Sequence, residues 1–188
     1  MTLNHVSLPT TPATHARMRD FYLASLKPLG YTPFKEQSGV FLGLQRNHRP
    51  DFWLHCCNGW SDDSQGKGQD EEAQLVNPNL SADENRKKLK GWAHIAFEVS
   101  SKKTVDEWFK AAVNAGGIPN GDPGERPLYS KGYYAAFVLD PLGNNVEVMC
   151  FNPLWIQLLK AAPTVATILF GAVAGHYVLA YARSVGWA

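Results

Sequence analysis

Two short stretches, Leu3-Asn4-His5-Val6-Ser7-Leu8 and Ala93-His94-Ile95-Ala96-Phe97-Glu98-Val99, each place a histidine near the start of a strand-like run, and a helical pattern follows each. The histidines stand at positions 5 and 94, an offset of 89. Recurrence of strand, helix and further strands at one offset points to a duplicated module. With 188 residues, 45% of them hydrophobic, the chain suffices for one domain with a sizeable core or two small fused modules.

In the first copy Thr11-Pro12 reads as an N-cap with proline in the first turn. Met18, Phe21, Tyr22, Leu26 and Leu29 then recur at helical spacing until Gly30. Three strands are expected next, Tyr31 to Lys35, Val40 to Gln45 and Asp51 to Cys57, so module one reads β-α-β-β-β over residues 1–57. Residues 58–90 turn to Ser, Asp, Gln, Gly, Glu and Asn without apolar periodicity, the composition of a polar linker or surface loop. Module two, 91–152, opens with the His94 strand. A helix capped by Ser101 follows, with Val105, Trp108, Phe109, Ala112 and Val113 on one face. The module closes with a hairpin, Gly132 to Leu139 and Asn144 to Phe151, around the turn Asp140-Pro141-Leu142-Gly143. The fold class expected is α+β, with paired βαβββ modules forming a cupped mixed sheet and a hydrophobic helix at the C-terminus.

A formal charge of +1 with scattered Lys and Arg gives no field for polyanions, so nucleic acid is not an expected partner. Cys56, Cys57 and Cys150 are too few for a disulfide framework, and neighbours on a strand point to opposite faces, which favours a reducing, cytoplasmic setting. No cleaved leader is expected from the first residues.

Strand alternation decides where side chains point. Glu147 shares one face of the last strand with Asn145 and Met149, opposite Val146, Val148 and Cys150. His94 opposes Ile95, Phe97 and Val99, and His5 opposes Asn4, Val6 and Leu8. Three strands thus each offer a donor to the polar side. Two imidazoles and a carboxylate suit divalent Fe, Mn, Ni, Co or Zn with positions left open for substrate. A single histidine on a half-buried strand is more often structural; recurrence at equivalent positions raises the metal reading. Trp53, Arg126, Tyr129, Tyr133 and Tyr134 offer an aromatic pocket with one cationic group, although Tyr133 and Tyr134 must face opposite ways.

The stretch from His94 through Pro123-Gly124-Glu125-Arg126-Pro127, Tyr129 and Gly132-Tyr133-Tyr134-Ala135-Ala136-Phe137-Val138 to Asp140-Pro141-Leu142-Gly143-Asn144-Asn145-Val146-Glu147 resembles the vicinal oxygen chelate superfamily, in its glyoxalase-like branch. This superfamily groups glyoxalases, bleomycin-resistance proteins and extradiol dioxygenases. The resemblance covers residues 1–152, more weakly in module one. It implies His5, His94 and Glu147 as metal ligands, Glu147 or a bound hydroxide as base, and an enzyme that chelates two adjacent oxygens of a small substrate. Pairing Asp51-Phe52-Trp53-Leu54 with Asn145-Val146-Glu147-Val148 sets Trp53 where glyoxalases carry a second carboxylate. His55 lies on that same face, about 6.6 Å further along, and is the remaining candidate for the fourth place. The resemblance therefore implies a glyoxalase-like lyase or isomerase, or an oxygenase; a ring-cleaving dioxygenase and a non-catalytic binder of a planar small molecule stay open beside it.

The resemblance ends near Pro153. From Ala161 to Ala182 no Asp, Glu, Lys or Arg occurs, a length that suits a membrane-anchoring helix, while Pro163, Gly171, Gly175 and His176 dilute its hydrophobicity. The tail, 153–188, reads either as a membrane span or as a helix packed in a homodimer or against the sheet.

Overall fold

The computed structural model describes residues 3–57, 75–77, 79–88, 91, 93–151, 172, 175–180 and 183–184. The chain divides into two compact units, Met1–Phe151 and Asn152–Ala188. The first unit holds both modules. Module one runs β1 (Val6–Thr10), α1 (Pro12–Ser25), a short 3-10 turn (Lys27–Leu29), β2 (Thr32–Gln37), β3 (Phe41–Arg46) and β4 (Arg49–Cys56). A short helix, α2 (Ala82–Lys88), precedes module two, which runs β5 (His94–Glu98), α3 (Lys102–Asn114), β6 (Ile118–Glu125), β7 (Tyr133–Leu139) and β8 (Asn145–Phe151).

Each module forms one four-stranded sheet, ordered β1-β4-β3-β2 and β5-β8-β7-β6. The first strand lies parallel to the last, and the other pairs are antiparallel. The same order twice is the paired βαβββ architecture that the offset of the histidines implied. One core joins the two: Met18, Phe21 and Tyr22 of α1 and Val105, Trp108 and Ala112 of α3 belong to the same buried cluster as Leu42, Leu54, Val138 and Val148 of the sheets. The helices take the apolar sheet faces, so the opposite faces are left for polar groups.

Local chemistry explains the helix ends. Thr14 Oγ1 accepts from the Thr11 N–H at 3.0 Å at the start of α1, and Ser101 Oγ accepts from the Thr104 N–H at 3.2 Å at the start of α3. After the 3-10 turn, Gly30 takes φ 83°, the left-handed conformation that ends the helical segment.

Two elements go beyond the sequence expectation. The βαβββ order calls for a further strand between α3 and β7 without setting its bounds; it is β6, although Pro119, Gly121, Pro123 and Gly124 dilute it. It survives at the sheet edge, where a missing N–H is tolerated, with register shifts between Pro119 and Gly124. Within the linker, residues 58–74, 78, 89 and 90 lie outside the described residues, but the remainder is not structureless. Ser81 and Glu84 form a capping box, Ser81 N–H to Glu84 Oε2 at 2.9 Å and Glu84 N–H to Ser81 Oγ at 3.3 Å. Asn85, 2% exposed, closes the loop by bonding the backbone of Asn77 and Leu80.

Most of the C-terminal run 161–182 lies outside the described residues. Residues 175–180 are helical and exposed. Among the described residues no helix is long and apolar enough to cross a membrane.

Candidate functional site

β5 and β8 pair with His94 opposite Asn145 and Ala96 opposite Glu147. That register, with strand alternation, sends Val146 and Val148 into the core and sets His94, Asn145 and Glu147 together on the other face. His94 Nε2 lies 2.9 Å from Glu147 Oε2. The second carboxylate oxygen, Oε1, accepts from the Tyr133 hydroxyl at 2.7 Å. Burial, reinforced by that bond to Glu147, pushes the Tyr133 phenol up to about 12, so it stays a donor at neutral pH. Asn145 Nδ2 stands 2.9 Å from His94 Nδ1, and Asn120 Nδ2 donates to Asn145 Oδ1 at 2.8 Å. Glu147 is only 4% exposed, whereas the His94 side chain is 54% exposed. The carboxylate is a buried anchor and the imidazole is its opening to solvent.

Module one repeats the register with different chemistry. Val6 faces Phe52 and Ser7 faces Trp53, as Ile95 faces Val146 and Ala96 faces Glu147. His5 is therefore the counterpart of His94, and Trp53 that of Glu147. The next strand completes an exchange of size: Gly43 lies opposite Trp53, and Phe137 lies opposite Glu147. The Trp53 ring occupies the room that Gly43 leaves, since a Cβ there would come within 2.6 Å of it. His55 stacks on Trp53 at 6.0 Å and 19°, and Phe34 and Phe41 meet the indole at 6.1 Å each. Nδ1 of His55 is hydrogen-bonded to Ser7 Oγ. His55 is thus part of an aromatic wall, not of the Glu147 cluster.

A cleft of about 400 Å³ lies where β1 and β4 of module one meet β5 of module two. Its lining includes His5, Arg46, Asp51, His94 and Glu98. Tyr31, also on the lining, donates to Asp51 Oδ1 at 2.9 Å, and the Arg46 guanidinium lies 5.9 Å from the Tyr31 ring centre. The two histidines of the repeat therefore line one cleft. His5 is turned to its neighbour, however, with Nδ1 2.8 Å from Asn4 Oδ1.

The remaining candidates divide. The Arg126 guanidinium lies over Phe137 at 5.5 Å, with Nη2 donating to Asp122 O at 2.6 Å, which places a cation one side chain away from Glu147. Tyr129 is 73% exposed and packs against Tyr133 at 5.6 Å. Tyr134 is not brought to the site. It points to the helix side, donating to Asp106 Oδ1 of α3 at 2.8 Å, and burial followed by that bond raises its phenol to about 12. Sequence reasoning missed Asn120, Asn145, Asp51, Glu98 and Arg46. Alternation on the His94, Trp53 and Glu147 strands carried a signal for Glu98, Asp51 and Asn145, but Arg46 and Asn120 enter from other strands and left none.

The donor chemistry can be tested against a divalent ion. Two adjacent ligands with bonds of about 2.1 Å stand roughly 3 Å apart, which is the separation of His94 Nε2 and Glu147 Oε2. That pair fits. Among the described residues no group of three His, Cys, Asp or Glu side chains is gathered closely enough to hold a metal ion, so His5 shares the cleft without joining the pair.

No protein-family model and no curated protein matches the sequence. Solved structures do match the fold. A glyoxalase/bleomycin resistance protein/dioxygenase family enzyme from Burkholderia phytofirmans PsJN is 19% identical with a TM-score of 0.53, covering 81% of this chain and 100% of its own. A glyoxylase/bleomycin resistance protein/dioxygenase domain from Frankia sp. EAN1pec is 15% identical with a TM-score of 0.51, covering 81% of this chain and 98% of its own. A glyoxalase-related enzyme from Fulvimarina pelagi is 15% identical at a TM-score of 0.51, covering 77% of this chain and 86% of its own. The chain thus has the paired-module fold of the vicinal oxygen chelate proteins, and at these identities the likeness is one of fold.

Proposed function

We propose that the chain is a glyoxalase-like enzyme, a lyase, isomerase or oxygenase, acting on a small oxygenated substrate at the polar face around Glu147. The observation that carries this reading is the contact of His94 Nε2 with Glu147 Oε2 at 2.9 Å, an imidazole and a buried carboxylate spaced as neighbouring metal ligands. His94 and Glu147 would hold a divalent ion of the Fe, Mn, Ni, Co or Zn kind, with His5 as the third donor from the same cleft. When bound, such an ion supplies Lewis-acid stabilisation of negative charge on substrate oxygen.

The chain's own groups have separate tasks. Glu147 is the candidate base, and the Tyr133 hydroxyl on Oε1 fixes the carboxylate so that Oε2 faces His94. With Trp53 at the counterpart position, one carboxylate serves where a symmetric pair would have two. The wall of Trp53, His55, Phe41 and Phe34 suits a planar substrate, and Arg126 adds a positive charge near Phe137.

A second reading, a non-catalytic binder of a planar compound, is favoured by that aromatic wall and by His5, which is turned to Asn4 and is not gathered with His94 and Glu147 into a group of three among the described residues. Metal analysis and ion titration of purified protein, followed by turnover assays on 2-oxoaldehyde thiol adducts and catechols, separate the two. The enzyme reading expects one divalent ion per chain and a kcat lowered by roughly 10²–10⁴ in Glu147→Gln. Protein that takes up no ion, with ligand affinity unchanged in His5→Ala, would instead be the binder.

A further inference from the structure

The polar chain behind His94 has a direction. Glu147 Oε2 is an acceptor, so the His94 nitrogen 2.9 Å from it, Nε2, carries the proton. Nδ1 is then the acceptor and takes a hydrogen from Asn145 Nδ2 at 2.9 Å. The Asn145 carbonyl accepts in turn from Asn120 Nδ2 at 2.8 Å. At the far end, the Asn120 Oδ1 is buried and has no hydrogen-bond partner among the described residues. None of them pins the series there.

A carboxamide keeps its shape when its oxygen and nitrogen change places. Turning over Asn120 and Asn145 together preserves every link with donor and acceptor exchanged: Asn145 Nδ2 donates to Asn120 Oδ1, and Asn145 Oδ1 accepts from His94 Nδ1–H. The imidazole proton has then moved from Nε2 to Nδ1. This second arrangement turns the Nε2 lone pair toward Glu147 Oε2, and two acceptors at that separation are held together only by something electropositive between them. The two arrangements therefore differ in what stands between His94 and Glu147.

We propose that Asn120 and Asn145 form a two-amide relay that sets which imidazole nitrogen of His94 carries the proton, with Nε2–H the form in the ion-free protein. Both are positioning residues acting through His94. The relay belongs to module two: Asp51, the counterpart of Asn145 by register, accepts from Tyr31 instead. It takes from the proposed function only the place of His94 in the site. There its consequence is direct, because an ion held through Nε2 requires the reversed arrangement, with Nδ1–H on Asn145 Oδ1.

The test changes a residue that does not touch His94. In ion-free protein, kept with chelator at a pH well above the ordinary histidine value of about 6.5, two-bond nitrogen–proton NMR correlations identify the protonated ring nitrogen. The wild type is expected to show Nε2–H with Nδ1 bare, and Asn120→Ala is expected to keep that form, since Glu147 still accepts. In Asn120→Asp the carboxylate can only accept, which obliges Asn145 to turn its NH2 outward and its carbonyl to the ring. A proton then appears on His94 Nδ1. Unchanged signals from the other histidines show that each variant is folded. Asn120→Asp with Nδ1 still bare overturns the relay, as does a wild type already protonated at Nδ1. Failure of the protein to bind any divalent ion would overturn the proposed function instead, and the ion-free comparison would stand by itself.

Discussion

The Tyr22 hydroxyl in α1 donates to Asp140 Oδ2 in the β7–β8 turn at 2.8 Å, across 118 positions of sequence and from one module to the other. Asp140 is fully buried. Its Oδ1 also accepts from the backbone N–H of Leu142 and of Asn144 at 2.9 Å each, and its Oδ2 accepts from Asn144 Nδ2 at 2.8 Å. Burial raises the carboxyl above its ordinary value against the pull of these donors. The same burial, with Asp140 beside it, pushes the Tyr22 phenol well up. Asp140-Pro141-Leu142-Gly143 is therefore a turn that also ties the two modules. Tyr22→Phe is expected to cost about 1.5–3 kcal/mol, the range for losing a hydrogen bond to a charged buried group. The measurement is the urea midpoint at an unchanged slope; a midpoint equal to the wild type would show that water replaces the hydroxyl.

His15 is expected to give the protein a pH dependence of stability. It is 3% exposed, its Nδ1 is hydrogen-bonded to Thr10 Oγ1 at 2.8 Å, and its Nε2 is buried without a partner among the described residues. Burial lowers its folded pKa below the ordinary 6.5. The unfolded chain then binds the proton more readily, so stability is held above pH 6.5 and is lost as the pH falls below that value toward the lowered one. Denaturant midpoints measured between pH 7 and 5 should fall, and His15→Leu should flatten that slope. A slope kept in the variant would assign it to another group.

Much of this architecture was legible because the module repeats. The offset of His5 and His94 aligned the halves, and the registers of β1 with β4 and β5 with β8 repeat that alignment down to Trp53 against Glu147. What failed was local in origin. Strand β6 carries two prolines and two glycines, so propensity sets no bounds for a strand that the module order requires and that edge pairing sustains. The cap of α2 was present as Ser81-Ala82-Asp83-Glu84, but the polar composition around it outweighed a four-residue signal. Tyr134 was a matter of parity: alternation required one of Tyr133 and Tyr134 to leave the site, and only the position of Asp106 on α3 decides which. Asn120 was out of reach because the bulges in β6 shift its register.

Glu147→Gln keeps an acceptor for the Tyr133 hydroxyl and removes the base. Under the proposed function, kcat should fall by roughly 10²–10⁴, the usual worth of general base catalysis, with the fold intact by circular dichroism. Tyr133→Phe should lower kcat far less, since it leaves the base in place and takes away only the donor at Oε1. Equal losses in the two variants would make Tyr133 a participant in the reaction.

The exchange of size between Gly43 with Trp53 and Phe137 with Glu147 allows a sharper trial of the missing carboxylate. Gly43→Ala places a Cβ within 2.6 Å of the Trp53 ring and should cost about 1–3 kcal/mol by overpacking, with a change in tryptophan fluorescence as the indole is displaced. Trp53→Glu puts a carboxylate at the counterpart of Glu147 and removes the ring that the alanine would strike. The two changes should therefore be strongly non-additive, the double variant losing less stability than the sum of the single ones. Trp53→Glu should also tighten cobalt binding by about tenfold, ~1.4 kcal/mol, measured calorimetrically, because a fourth donor approaches the His94 and Glu147 pair. Cobalt affinity equal to that of the wild type would mean that the counterpart position of module one does not face the same ion.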